Sequence, residues 1–345
     1  MGAETQRRRG VLAGGNWIID QVKLVDVYPQ QEQLANISGQ SQGTGGSPFN
    51  LLVDLAKLGA EFPLSAAGLV GDDETGETIL NICRGNGIDT TELTKTKAAP
   101  TSYTDVMTVT STGKRTFFHN RGANAIWDGE SLDFEASRAA HFHVGYLLLL
   151  DALDADDPEY GTKAAKLLAR ASSAGLTTSF DVVSEDSDRF TRIVSPVLPH
   201  TDFAILNEIE AGKTAGIAIR RDDGSFDSDA ARTACKALID GGVRQRVVIH
   251  FPEGAYCLEK DGTEHWHSSL QLPDDFIKGA AGAGDAFCAG CLLGFLRDVD
   301  ITSSLRYGVC AAGLSLQHPT CTEGVTTLVK AEALGESLGF RPSIG

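Results

Sequence analysis

The stretch "KGAAGAGDAFCAGCLLGFL", residues 278–296, decides how this chain is read. Three small residues and one carboxylate, Asp285, stand directly before an apolar helical run. Gly282 and Gly284 allow a tight turn, and a helix opening near 284 presents unpaired N–H groups and the positive end of its dipole. Such a helix start holds a phosphate without a lysine. Gly282, Ala283 and Gly284 therefore form a candidate anion hole. A phosphate repels a carboxylate, so Asp285 makes better sense as a base that takes a proton from an attacking hydroxyl. A base next to N–H groups aimed at a transferring phosphoryl group is the minimum machinery of a kinase. Taken alone, the pattern reads better as an acid favouring a helix start, an effect of about 0.3–1 kcal/mol, because such acids are common and Gly-Ala-Gly is a weak pattern.

Outward from this stretch, short runs rich in Val, Ile and Phe alternate with amphipathic segments, the pattern of βα units around a buried parallel sheet. Strands are expected at 10–14, 141–146, 176–182, 202–206 and 246–251, and helices at 48–58, 158–174, 229–240, 284–296 and 302–317. Residues 21–43 and 101–121 break the alternation and read as β-ribbons, the second turning at Thr112-Gly113-Lys114; ribbons flanking an α/β core suggest a lid. The expected architecture is one domain, with residues 1–9 as a disordered leader.

Composition narrows the function. The 345 residues are 42% hydrophobic and 22% charged, enough for a large core, and carry a formal charge of −16. That balance argues against nucleic-acid and anionic-membrane partners, which need a basic footprint. No segment reaches the run of about 18 apolar residues that spans a bilayer. Seven scattered cysteines do not form a disulfide framework, so a reducing cytoplasm is expected. Cys288 and Cys291 fall inside an apolar helix and read as core thiols, and His141, His143, His265 and His267 read as structural. Gly14-Gly15-Asn16 lacks the third glycine of a dinucleotide fingerprint, and no P-loop is present.

The 278–296 stretch resembles the C-terminal signature of the ribokinase-like (PfkB) carbohydrate kinases, matched on Gly282-Ala283-Gly284-Asp285. Residues 43–76, "GTGGSPFNLLVDLAKLGAEFPLSAAGLVGDDETG", match the family's other signature, and Asn207 with Glu210 matches its Asn-x-x-Glu motif. Three motifs in the family's order make the likeness specific. It implies a three-layer α/β/α sandwich with a mostly parallel central sheet and a small β-lid, catalysing ATP-dependent phosphorylation of a sugar hydroxyl. It further implies that Asp285 is the base, that Asp20, Gly45, Gly46 and Asn50 hold the sugar, and that Asn207 and Glu210 serve the Mg²⁺ and phosphate-water network. His250 and Gly254 stand where relatives carry a nucleotide loop, although the segment is one residue short and contains Pro252. "HNRGAN", 119–124, resembles the lid return, where Arg121 would either meet an acidic or phosphorylated substrate or stand as a solvated lid charge. A homodimer through the lid is a further expectation. Gly279-Ala280-Ala281 replaces the family's Asp-Thr-x and so lacks a carboxylate that helps bind a monovalent cation, which argues against cation dependence. The alternatives are an adenosine-type nucleoside kinase and a ribokinase-like sugar-binding or regulatory protein of weakened turnover.

Overall fold

The computed structural model describes residues 8–185, 187–273 and 275–344. Its first strand, β1 (Val11–Gly15), is buried along its whole length, with Val11 and Ala13 in one hydrophobic core and Leu12 in another. The two cores therefore lie on opposite faces of one sheet, as the strand period of two requires. A later strand, Phe203–Asn207, divides the same way: Phe203 and Ile205 join Val11, whereas Ala204 and Leu206 join Leu12.

A small sheet pairs β2 (Ile18–Val25) antiparallel with β3 (Ile37–Gly45) and parallel with β6 (Ser102–Val109), which pairs antiparallel with β7 (Arg115–Asn120). The main sheet adds β4 (Leu64–Gly71), β5 (Asp89–Thr96), β8 (His141–Leu147), β11 (Thr177–Val182), β12 (Phe203–Asn207), β13 (Arg246–Phe251), β14 (Gly254–Glu259) and β15 (Glu264–Ser268). Its nine strands run β15-β14-β13-β12-β11-β8-β1-β4-β5, and all point the same way except β14, which pairs antiparallel with both β13 and β15. A two-stranded ribbon of β9 (Asp156–Asp157) and β10 (Gly161–Thr162) precedes a helix.

Helices α1 (Ser47–Leu58), α2 (Glu74–Gly85), α7 (Ala283–Leu296), α8 (Ile301–Ser315) and α9 (Leu328–Leu338) cover the face that carries Val11. The opposite face is covered by α3 (Lys163–Ser173), α4 (Phe190–Val194), α5 (Glu208–Ala215) and α6 (Ser228–Asp240). Three layers result, as the sequence implies. From Asp285 to Phe295, α7 is buried all round, because it packs between the sheet, α1 and α8.

The helix expected at 158–174 starts later. Asp157 Oδ1 accepts the Glu159 and Tyr160 N–H groups, and Gly161 adopts a φ of 82°, so the chain turns before Thr162 caps α3. Of the expected leader, residues 1–7 lie outside the described residues, while the Arg9 N–H bonds the Arg138 carbonyl at 2.9 Å. Among the described residues no helix is long and apolar enough to cross a membrane.

The chain leaves β1 for β4 on one side, and its other neighbour is β8, so the strand order reverses between β1 and β8. The carboxyl ends of these strands, where Gly15 pairs with Gly145, open the crevice in which α/β sheets bind ligands.

Candidate active site

Asp285 lies in the first turn of α7, at the carboxyl edge of the sheet, and its carboxylate is fully engaged. Oδ2 accepts Asn50 Nδ2 at 2.8 Å, and the Tyr146 hydroxyl donates to both oxygens at 2.8 and 2.9 Å. Burial pushes its pKa up to about 6, while the Asn50 and Tyr146 bonds pull it back. Gly282 forms the N-cap of α7 with φ 77° and no side-chain cap, so the first N–H groups of the helix face outward without a competing oxygen. A Cβ on Gly282 would stand 2.6 Å from both Cα and O of Cys321, so only glycine fits this turn. Ala283 and Gly284 are the first two residues of the helix.

One cleft brings together Tyr146, Asp181, Asn207, Glu210, His250, Gly282, Gly284 and Asp285. Asn207 and Glu210 form a capping box at the start of α5. Asn207 Oδ1 accepts the Ile209 and Glu210 N–H groups, and its Nδ2 donates to Ser184 Oγ at 3.0 Å. The Asn207 side chain is thus spent on positioning. Glu210 accepts the Ser184 hydroxyl at 2.6 Å and the Asn207 N–H at 3.0 Å; burial pushes its pKa up to about 7, with Asp285 adding to the rise. His250 tilts against Phe287 with centroids 4.9 Å apart, and burial lowers its pKa to about 4, so the ring is neutral at pH 7. Gly254 lies elsewhere. It opens β14 after a two-residue turn, with the His267 carbonyl 2.4 Å from where its Cβ would be, so the segment closes as a tight hairpin.

A second pocket lies under the small sheet and is lined by Asp20, Thr44, Thr108, Arg115, Lys278 and Cys321 among others. Burial pushes the Asp20 pKa up to about 6, against hydrogen bonds from Thr104 and Cys321. Its carboxylate packs on the backbone of Gly45, where a Cβ would come within 2.7 Å of Oδ1. Gly46 follows as the N-cap of α1. Arg121, expected here, is turned away: its guanidinium pairs with Asp151 at 2.5 Å and with the Leu148 carbonyl at 3.1 Å. Asn50, expected on a sugar, is bound to Asp285, while its Oδ1 has no partner among the described residues. One helical turn further on, Asp54 is buried with neither carboxyl oxygen partnered among the described residues; burial and the nearby Asp285 raise its pKa well above the usual range.

Sequence reasoning did not single out Tyr146 or Asp181. Asp181, next to last in β11, accepts the Val182 N–H at 2.8 Å, and desolvation, Glu210 and Asp285 raise its pKa well above the usual carboxylate range. From Ser47 a buried chain of hydrogen bonds runs along one face of β8 and β11: Ser47 Oγ to His143 Nε2 at 2.8 Å, His143 Nδ1 to Ser179 Oγ at 2.8 Å, Ser179 Oγ to His141 Nε2 at 2.7 Å, and His141 Nδ1 to Thr177 Oγ1 at 2.9 Å. Burial lowers both histidine pKa values to about 3, so the rings stay neutral. His265 instead pairs with Glu259 at 2.8 Å, and His267 packs edge-on against Phe340.

Residues 13–328 match the family model described as pfkB family carbohydrate kinase. The chain is 28% identical over 335 residues to an ATP-dependent ribose-1-phosphate kinase of Halopiger xanaduensis, covering 96% of this chain and 98% of that protein. It is 25% identical over 292 residues to a 5-dehydro-2-deoxygluconokinase of Clostridium perfringens, covering 82% and 81%. Among solved structures, Arabidopsis thaliana ribokinase complexed with ribose and ATP superposes with a TM-score of 0.77 at 18% identity, over 97% of this chain and 100% of that one. A nucleoside kinase of Methanocaldococcus jannaschii gives 0.74 at 18%, over 96% and 99%. At these identities the two structures speak for the fold alone.

Proposed function

The chain belongs to the pfkB family of carbohydrate kinases and is a ribokinase-like sugar kinase, and on that premise we propose that it moves the terminal phosphoryl group of ATP to a sugar hydroxyl with Asp285 as the base. The observation that carries this is the uncapped start of α7, with a buried carboxylate in its first turn. The substrate hydroxyl gives its proton to Asp285, and the N–H groups at Gly282, Ala283 and Gly284 stabilise charge on the transferring group. Tyr146 and Asn50 orient the Asp285 carboxylate, and Asp20 takes hydroxyls of the sugar over Gly45 and Gly46. His250, neutral, offers a hydrogen bond beside the anion hole.

ATP is assigned to the cleft at the start of α7, with its phosphates toward the helix N–H groups. Mg²⁺, when bound, neutralises charge on the nucleotide phosphates. Glu210 would hold it through water, because among the described residues no cluster of three or more His, Cys, Asp or Glu is arranged to ligate an ion directly. Asn207 fixes Glu210 rather than reaching the ion. The small sheet acts as a lid over the sugar. Release of ADP over a panel of sugars tests the reading: acceptor-dependent ADP supports it, and none with any sugar refutes it. A cytoplasmic setting goes with seven unpaired cysteines.

Activity is expected to be nearly independent of potassium. Gly279 supplies no carboxylate, and no side chain fits there, since a Cβ would stand 2.7 Å from Pro319 Cα. Lys278 does not fill the space with its charge, because its ammonium donates to the Asp275 carbonyl at 2.7 Å. Equal kcat/KM in potassium and in a bulky organic cation, at equal ionic strength, is the expected result. A large potassium stimulation would show the inference from Gly279 to be wrong.

The lid also suits a second copy of the chain. Ile37 and Phe118 are 54% and 51% exposed on it, more apolar surface than a solvated ribbon needs. Light scattering is expected to give twice the chain mass, and a monomer at micromolar concentration rejects this.

A further inference from the structure

Arg115, on β7, and Lys278, just before the anion-hole turn, line the same pocket as Asp20. In a chain with 46 acidic and 30 basic residues, most cations find a carboxylate. These two do not. Among the described residues Arg115 makes no ion pair and lies 5.7 Å from the Phe117 ring, and Lys278 bonds only a backbone carbonyl. Thr108, paired with Arg115 across β6 and β7, lines the pocket as well, and its buried hydroxyl has no partner among the described residues. Arg115 and Thr108 are thus left without an acceptor, and Lys278 without an anionic one, among the described residues. Asp20, in the same pocket, acts on Arg115 only at a distance beyond an ion pair, and a neutral sugar adds no charge to meet the two cations; a dianionic group would match them.

We propose that the acceptor is a sugar already bearing a phosphate, held by Arg115, Lys278 and Thr108. This rests on the kinase reading of the same site. A guanidinium and an ammonium together balance the two negative charges of a phosphate monoester, and the guanidinium can grip it with two parallel N–H bonds. The position of the group follows from the elements that carry these side chains. Asp20 lies beside Cys321, which packs against the Gly282 turn, so the Asp20 side of the pocket adjoins the anion hole. Arg115 and Thr108 stand at the opposite ends of their strands from Asn120 and Ser102, further along the lid from Asp20, which registers with Thr104. The bound phosphate therefore sits at the end of the sugar away from the reacting hydroxyl. The proton of that hydroxyl passes to Asp285, its oxygen bonds the incoming phosphorus, and the bond from phosphorus to ADP breaks. The product is a sugar bisphosphate and ADP.

Calorimetry without nucleotide, using ribose, ribose 1-phosphate, ribose 5-phosphate and gluconate, reads the pocket independently of turnover. At least one ribose phosphate is expected to bind about a hundredfold or more tighter than ribose, since each charge-assisted bond contributes roughly tenfold to a hundredfold. Arg115→Ala should remove most of that preference, and Arg115→Lys should restore part of it. Ribose binding as well as both phosphates, tightly or weakly, overturns the proposal while leaving the kinase reading intact if ADP release is seen. Gluconate binding as tightly as the phosphates overturns the assignment to phosphate. A phosphate preference lost in Arg115→Ala, but with no ADP release from any acceptor, upholds the anion site and refutes the kinase reading.

Discussion

Asp285→Asn is expected to leave the protein folded and to lower kcat by about 10²–10⁴, the range for a positioned general base. The replacement is isosteric, and the site can absorb it. Asn50 now donates Nδ2 to Asp285 Oδ2 and has an unpartnered Oδ1, so turning its amide over presents an acceptor to the amide introduced by the substitution. The Tyr146 hydroxyl can still donate to the remaining oxygen. Substrate affinity should therefore change little. The pH profile separates lost chemistry from lost structure. In the wild type, kcat/KM should fall as pH drops through about 6, because burial holds the Asp285 pKa there and the base must be unprotonated. In the variant, the residual rate should lack that acid limb. Steady-state kinetics from pH 5 to 8 decides this, and near-wild-type turnover in the variant would sink the assignment.

Gly282→Ala is the second large effect, with kcat expected to fall by about 10²–10³, as when a donor to developing negative charge is removed. The φ of 77° disfavours any side chain, and the new methyl would meet Cys321 Cα and O at 2.6 Å, both backbone atoms that cannot swing aside. The turn must shift, and the N–H groups of α7 shift with it. Strain of this kind costs about 1–3 kcal/mol, so the melting temperature should also drop. Gly284→Ala serves as the comparison, because its methyl would meet only the His250 ring, at 3.1 Å, and a ring can give. A Gly282→Ala enzyme with wild-type kcat would show that these N–H groups do not stabilise the transferring group.

The core of this site was legible because its chemistry is local in sequence. The glycine turn, Asp285 and the apolar helix are contiguous, and Asn50 and Glu210 stand in motifs of fixed spacing. The parallel sheet was legible where both faces are buried, as in β1, β12 and β13, since continuous apolar runs mark such strands. β5 escaped notice because it is an edge strand whose "DTTELTKT" is mostly exposed and polar. Tyr146 ends a run that reads only as buried strand, and nothing local shows that its hydroxyl turns onto Asp285, 139 positions away. Asp181 did leave a signal, an acid at the carboxyl end of a buried parallel strand. Arg121 and Arg115 lie six positions apart on one ribbon. Which of them faces Asp20 depends on β2 pairing parallel with β6 and β6 antiparallel with β7, a register that only the folded chain sets.

The hydrogen-bond chain from Thr177 to Ser47 bears on how this sequence can drift. Ser179 serves both rings through one hydroxyl, so changing it alone to Ala would orphan a nitrogen of His141 and one of His143 together, each at about 1–3 kcal/mol. Changing either histidine alone strands its own partners in the same way. Replacing both rings and the serine at once with apolar groups of similar volume leaves far fewer buried polar atoms unmet. A single-step path through this strip therefore runs downhill in stability before it recovers, whereas a concerted one does not. His141, His143 and Ser179 are in effect inherited as a block, and a lineage that has lost one of them should be found to have lost all three.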